Sequence, residues 1–111
     1  PGTLRHPVEA TVTFVQIIDF ETDRIDEMRA LADEMGNQLA GGENSPTRRL
    51  ILRDRSRPGH YLGVIEFNSY EEAMRNSDDP ETSKFAERMA ALCNRPPTFT
   101  DCDVVDMTDF T

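Results

Sequence analysis

HYLGVIEFNSYEEAMRNSDDPETSKFAERMAALCNRPPTF, residues 60–99, decides the fold. Residues 60–67 combine β-branched and aromatic side chains with a single charge, the composition of a strand covered on both faces. Ser69 and Glu72 follow as a capping box, because a serine hydroxyl accepts an orphan amide proton of the first turn while the glutamate reaches back to the cap. The pattern predicts a helix from Ser69 that breaks at Asn76 to Asp78. Asp79 then caps a second segment, with Pro80 at its first position, where the missing N–H costs nothing. Met74, and after the break Phe85, Met89 and Leu92, recur at helical spacing and mark the apolar face. Pro96 and Pro97 end the helix, and Thr98 to Asp109 reads as a final strand.

Working upstream, residues 10–20, ATVTFVQIIDF, make a first strand rich in Val, Ile, Phe and Thr. Asp23 is placed to cap a helix whose Ile25, Met28, Leu31, Ala32, Met35 and Leu39 share one face, and Gly41 and Gly42 end it. After the loop at 43–46, Thr47 to Arg55 forms a second strand, at an edge. Pro58-Gly59 fits the central positions of a type II turn, since proline presets φ and glycine accepts a positive one. The order is βαββαβ, an α+β ferredoxin-like arrangement: a four-stranded antiparallel sheet with both helices on one face. Residues 1–9 read as an arm and 10–111 as one domain. Apolar residues occupy both strand parities, Val15 and Ile17 against Phe14 and Ile18, so the second sheet face also needs cover. A second copy of the sheet is the simplest cover, which predicts a homodimer.

The 111 residues fit one core. A net charge of −9 repels phosphate backbones and anionic membranes, so neither nucleic acid nor a membrane is expected as a partner. Cys93 and Cys102 form no CxxC pair and read as reduced thiols. His6 and His60 lie far apart with no ligand cluster beside them, so no metal is expected. No stretch approaches the roughly 18–20 apolar residues of a membrane span, and the N-terminus carries no apolar signal region. The expected location is cytoplasmic. Nucleophile elbow, P-loop and dinucleotide-binding glycine motifs are all absent from the sequence.

Residues 61–99, a strand ending in an aromatic, a Ser-capped helix, a break and a Pro-started amphipathic helix, resemble the dimeric α/β-barrel superfamily, near its antibiotic-biosynthesis-monooxygenase-like branch. The resemblance implies a homodimeric barrel. It points to cofactor-free oxygenation of an aromatic or polyketide-like molecule, the substrate itself activating oxygen after deprotonation. It also embraces haem-degrading enzymes, isomerases, cyclases and members of no assigned activity. The haem-degrading branch uses an Asn in the first strand and a Trp near the end of the third. This chain has no Trp, residues 8–20 hold no Asn, and Phe67 takes the aromatic position, all of which argue against haem degradation.

His60 and Tyr61 open the third strand where a strand end can reach a pocket mouth, and either could move a proton or hold a phenol. A hairpin-end histidine and a packing aromatic are the plainer alternative. Phe14, Gln16, Met28, Ile65, Phe67, Met74, Phe85 and Met89 are the expected pocket wall, Gln16 orienting a carbonyl or facing a dimer interface, the methionines lining an adaptable cavity or filling the core. Five of the twelve basic residues, Arg48, Arg49, Arg53, Arg55 and Arg57, lie on the second strand and its turn. Asp101, Asp103, Asp106 and Asp109 punctuate the last strand and its tail. These are opposite sheet edges that cannot easily pair within one subunit. Arg49 and Arg53 of one chain are therefore expected to meet Asp101 and Asp103 of the other. Two functions stand at this point: a cofactor-independent monooxygenase, or a non-catalytic small-molecule-binding domain with the same pocket.

Overall fold

A computed structural model describes residues 12–39, 42 and 44–110. The expected arm at 1–9 and the stop at Gly41 lie outside the described residues, as does the side chain of Leu39. The elements are β1 (Phe14–Glu21), α1 (Ile25–Leu39), β2 (Arg48–Arg53), β3 (His60–Phe67), α2 (Tyr70–Asp78), α3 (Pro80–Leu92) and β4 (Thr98–Asp103). The four strands form one antiparallel sheet in the order β2-β3-β1-β4, which is the α+β ferredoxin-like topology.

The break between α2 and α3 is narrower than expected and has a specific cause. α2 runs on through Asp78, and only Asp79 leaves the helical region, at φ −69° and ψ 126°. The ring of Pro80 disfavours helical backbone in the residue before it, and Asp79 is that residue. Its carboxylate accepts the Glu81 amide at 2.9 Å and so starts α3. Ser69 Oγ caps α2 on the Glu72 amide at 3.1 Å, as its position predicts.

Other boundaries shift for equally local reasons. β2 stops at Arg53, not Arg55, because the Asp54 carboxylate accepts both the amide and the hydroxyl of Ser56 and pulls the chain into its turn. The turn closes with the His60 amide on the Arg57 carbonyl at 3.1 Å around Pro58 and Gly59, whose φ of 79° only glycine adopts without strain. β4 ends at Asp103, not Asp109, because Asp103 faces Phe14, the first residue of its partner strand β1. Among the described residues no amide of α1 bonds to the Asp23 side chain, and the Arg24 amide goes to Thr22 Oγ1 at 2.9 Å. Thr22 is buried and also donates to the Leu92 carbonyl at 2.6 Å, tying β1 to the end of α3.

Cross-strand partners share a sheet face. Phe14, Gln16, Ile18 and Phe20 therefore lie with Phe67, Ile65, Gly63 and Tyr61, and this is the face the helices cover. One buried cluster holds Phe14, Phe67 and Ala73, with the Phe14 ring edge-on to Tyr70. A second holds Phe20, Met28 and Tyr61, packed by Ile25, Met89 and Leu92. The opposite parity, Val15, Ile17, Leu50, Leu52, Leu62 and Val64, forms an uncovered and largely apolar face.

Candidate functional site

The two halves of the core do not close against each other. Between them lies a cavity of about 330 Å³, within the range of small-molecule sites. Its floor is the helix-covered face of the sheet, from Gln16 and Ile18 across Gly63 and Ile65 to Ile51. Gly63 leaves the floor without a side chain there, and a β-carbon built on it would make ordinary contact with Ile18 Cβ at 3.6 Å. Met28, Leu31 and Met35 of α1 and Phe85 and Met89 of α3 form the roof, with Phe67 at the wall. The exposed lining residues Gly36, Thr47, Arg49 and Ser77 mark the opening.

Of the eight expected pocket residues, the structure brings Gln16, Met28, Ile65, Phe67, Phe85 and Met89 to this cavity. Phe14 and Met74 do not line it. They pack together in the cluster around Ala73, beyond Phe67. Gln16 neither faces an uncovered surface nor points freely inward, because its Nε2 donates to Asp101 Oδ1 of the same chain at 3.2 Å.

His60 and Tyr61 are not at the pocket mouth. Adjacent residues of a strand point to opposite faces, and this pair is divided accordingly. Tyr61 is buried on the helix-covered face, stacked on Phe20 with ring centroids 5.6 Å apart and with Arg53 over its ring. His60 belongs to the uncovered face and is only 1% exposed. Its Nε2 stands 2.6 Å from Asp19 Oδ1 and its Nδ1 stands 3.2 Å from Asp54 Oδ2. Arg57 Nη2 also approaches Nε2, at 3.1 Å. Nε2 cannot donate to Asp19 and accept from Arg57 at once, and the shorter contact assigns it as donor to Asp19. Arg57 then serves Asp54, through Nε at 3.1 Å. The Asp54 carboxyl is held well below the usual carboxylate range, first by the Ser56 hydroxyl and amide, then by Arg57 and His60.

The charged edges likewise find partners inside the chain. Arg49 pairs with Asp33 at 3.1 Å, Arg53 covers Tyr61, and Arg48 makes a two-pronged pair with Glu66. Arg49, Arg53, Asp101 and Asp103 all carry the parity of the helix-covered face. The arginine and aspartate edges do not pair with each other, but Arg49, Arg53 and Asp101 are already engaged.

Among the lining residues that were not anticipated as site residues are Asn76 and Thr82, which flank the α2–α3 break. Each is a polar residue on an otherwise apolar stripe, three positions after Ala73 and three before Phe85. That interruption of the stripe was the available signal. Arg48 and Arg49 are the only ionisable side chains among the described residues of the lining. Cys93 lies outside it. Burial pushes its thiol up, and the thiol donates to the Met89 carbonyl at 3.3 Å.

Neither a protein-family model nor a curated protein matches this sequence. Solved structures do. A Deinococcus radiodurans protein named for the antibiotic biosynthesis monooxygenases superimposes with a TM-score of 0.69 at 12% identity, over 88% of this chain and 98% of that one. A mutant of SnoaB, a cofactor-independent oxygenase from Streptomyces nogalater, gives 0.69 at 14% identity, over 90% and 98%. A third structure, named an antibiotic biosynthesis monooxygenase, gives 0.65 at 15% identity, over 84% and 99%. This chain has their fold. At such identities the likeness extends to architecture and not to activity. Among the described residues no helix is long and apolar enough to cross a membrane.

Proposed function

We propose that the cavity receives a flat, mostly apolar aromatic or polyketide-like small molecule, and that the chain is a cofactor-independent monooxygenase of the antibiotic-biosynthesis type. The observation that carries this reading is the apolar cavity itself, held between sheet and helices in a fold shared with a cofactor-independent oxygenase. The lining constrains the chemistry. It offers no carboxylate, histidine, tyrosine or cysteine as a base among its described residues. The substrate is therefore expected to ionise without help from the lining, the ionised ring itself supplying electrons to dioxygen.

Oxygen uptake with electron-rich phenols, 1-naphthol and 1,8-dihydroxynaphthalene, tests this reading. Uptake that requires protein and rises through the phenol's own pKa supports it. The same absence of a base favours one second reading, a binding domain without catalysis, and saturable binding with no oxygen uptake would establish that instead. The paired replacement of His60 and Tyr61 by Phe is expected to leave turnover intact, because neither side chain lines the cavity. Loss of turnover in a folded variant would return them to the mechanism.

The uncovered sheet face is proposed to be covered by a second copy of the chain. Leu52 is 42% exposed there beside Leu50, Leu62 and Val64, a contiguous apolar surface that a soluble monomer rarely shows. Arg49, Arg53, Asp101 and Asp103 point to the other face, so the dimer is expected to rest on apolar burial and to respond weakly to salt. A Leu62→Glu variant sedimenting as the same dimer as the unmodified chain would overturn this assignment.

A further inference from the structure

Two polar side chains in the cavity have no side-chain hydrogen-bond partner among the described residues. Asn76 is 7% exposed and lines the cavity, and its side-chain amide bonds to no other described residue. Thr82 lines the cavity from the other side of the helix break, and its Oγ1 is enclosed without a hydrogen bond. Buried polar groups in native proteins are nearly always paired, and leaving one unpaired is costly. No structural return offsets that cost here. Asparagine is a poor helix former, and the break is capped by Asp79, whose carboxylate accepts the Glu81 amide and whose own amide donates to the backbone carbonyl of Asn76, not to its side chain. The Asn76 amide, unlike Thr82 Oγ1, is not sealed off by its neighbours. A single χ1 step carries the Thr82 hydroxyl to the position its methyl holds, and helical threonine populates more than one such rotamer.

We infer that Asn76 and Thr82 select and orient the occupant of the cavity by its polar edge, an uncharged ring ketone with a neighbouring hydroxyl. This rests on the cavity being a ligand site, as proposed above. A primary amide donates through nitrogen, so Asn76 Nδ2 and the Thr82 hydroxyl can each donate to a ring carbonyl, whose outer lone pair stays free when the neighbouring hydroxyl bonds it internally. An anionic group fits this end poorly. Arg48 and Arg49, the only cations among the described lining residues, stand on β2 and are engaged by Glu66 and Asp33. A plain hydrocarbon fills the volume and leaves both groups unpaired. Asn76 and Thr82 are thus positioning residues that direct the polar edge to the helix break and the ring body toward Phe67, Phe85 and Met89.

The test uses two probes of similar shape, 1-hydroxy-2-acetonaphthone and 2-ethylnaphthalene, titrated against the unmodified chain, Asn76→Leu and Thr82→Val. Asn76→Leu is expected to weaken the hydroxyketone about tenfold, the worth of a lost hydrogen-bonded pair, while the hydrocarbon binds as well or better. Thr82→Val, nearly isosteric, is expected to weaken the hydroxyketone about threefold with the hydrocarbon unchanged. Thermal melts establish that each variant is folded, and if Asn76→Leu is not, the differential loss in Thr82→Val decides alone. Equal changes for both probes, or none, would overturn the inference and leave the cavity as a ligand site. So would a liganded crystal structure in which ordered water alone occupies Asn76 and Thr82. Failure of both probes to bind the unmodified chain would overturn the inference together with the ligand-site reading.

Discussion

The two faces of one sheet solve the same problem differently. The face under the helices is buried with aromatic rings, Phe14, Phe20, Tyr61 and Phe67, and leaves a cavity between its two clusters. The other face carries medium aliphatic side chains over its middle and places its most buried polar group, His60, at one end between Asp19 and Asp54. His60 and Tyr61 sit next to each other in sequence and serve opposite faces. Burial alone therefore does not identify a site. The covered face holds open volume with unpaired polar groups, whereas the uncovered face holds a polar cluster whose hydrogen bonds are satisfied within the chain.

The sharpest way to break this contrast is to remove a ring from the covered face. Phe67 is 4% exposed, packs on Phe14 with centroids 6.3 Å apart and walls the cavity, so Phe67→Ala is expected to cost about 3–5 kcal/mol by urea unfolding. A loss near zero would mean the two clusters do not carry the fold. His60→Ala should cost less, about 1–3 kcal/mol, because the Asp19 carboxylate loses its imidazole donor while Asp54 keeps Ser56 and Arg57. Stability unchanged in that variant would make the histidine cluster a surface decoration. Gly63→Val separates volume from stability. The new β-carbon meets Ile18 at an ordinary contact distance and valine suits a central strand, so folding stability should move by no more than about 1 kcal/mol. The branched side chain occupies the cavity floor, and binding of naphthalene-sized probes should be lost. Undiminished binding would place the ligand elsewhere.

The sequence made the architecture legible because its punctuation is local and chemically distinct. Ser69, Asp79-Pro80 and Pro58-Gly59 each set a boundary through a hydrogen bond or a fixed φ that needs no tertiary partner. The misplaced strand ends share a different origin. β4 stops where β1 runs out, and β2 stops because of a carboxylate that turns back on the next loop, so both depend on groups outside the strand itself. The candidate site was legible in its apolar wall, since Gln16, Ile65, Phe67, Phe85 and Met89 fall at the correct parity and helical phase. Which parity faced the helices was not written in residues apolar on both sides, and that single unknown misplaced His60. Asn76 was legible only as a break, because its lack of a partner is a property of the packed cavity and not of the helix that carries it.

The smallest expected effect concerns the turn that holds His60 in place. The Ser56 hydroxyl and amide are the principal groups lowering the Asp54 carboxyl, with Arg57 next. A carboxyl lowered by folding adds stability above its unfolded pKa, near 3.9, and loses that contribution as pH falls through the folded value. Ser56→Ala removes the hydroxyl and keeps the amide, so the Asp54 pKa should rise toward the ordinary range without reaching it. The variant should melt slightly below the unmodified chain at pH 6–7, and the gap should close as acid protonates Asp54 in both. Carbon-detected NMR titration of Asp54 reads the shift directly. A gap that persists unchanged at low pH would mean that Ser56 acts through turn geometry alone, and that the polar end of the uncovered face owes its order to the Pro58-Gly59 turn and not to the carboxylate beneath His60.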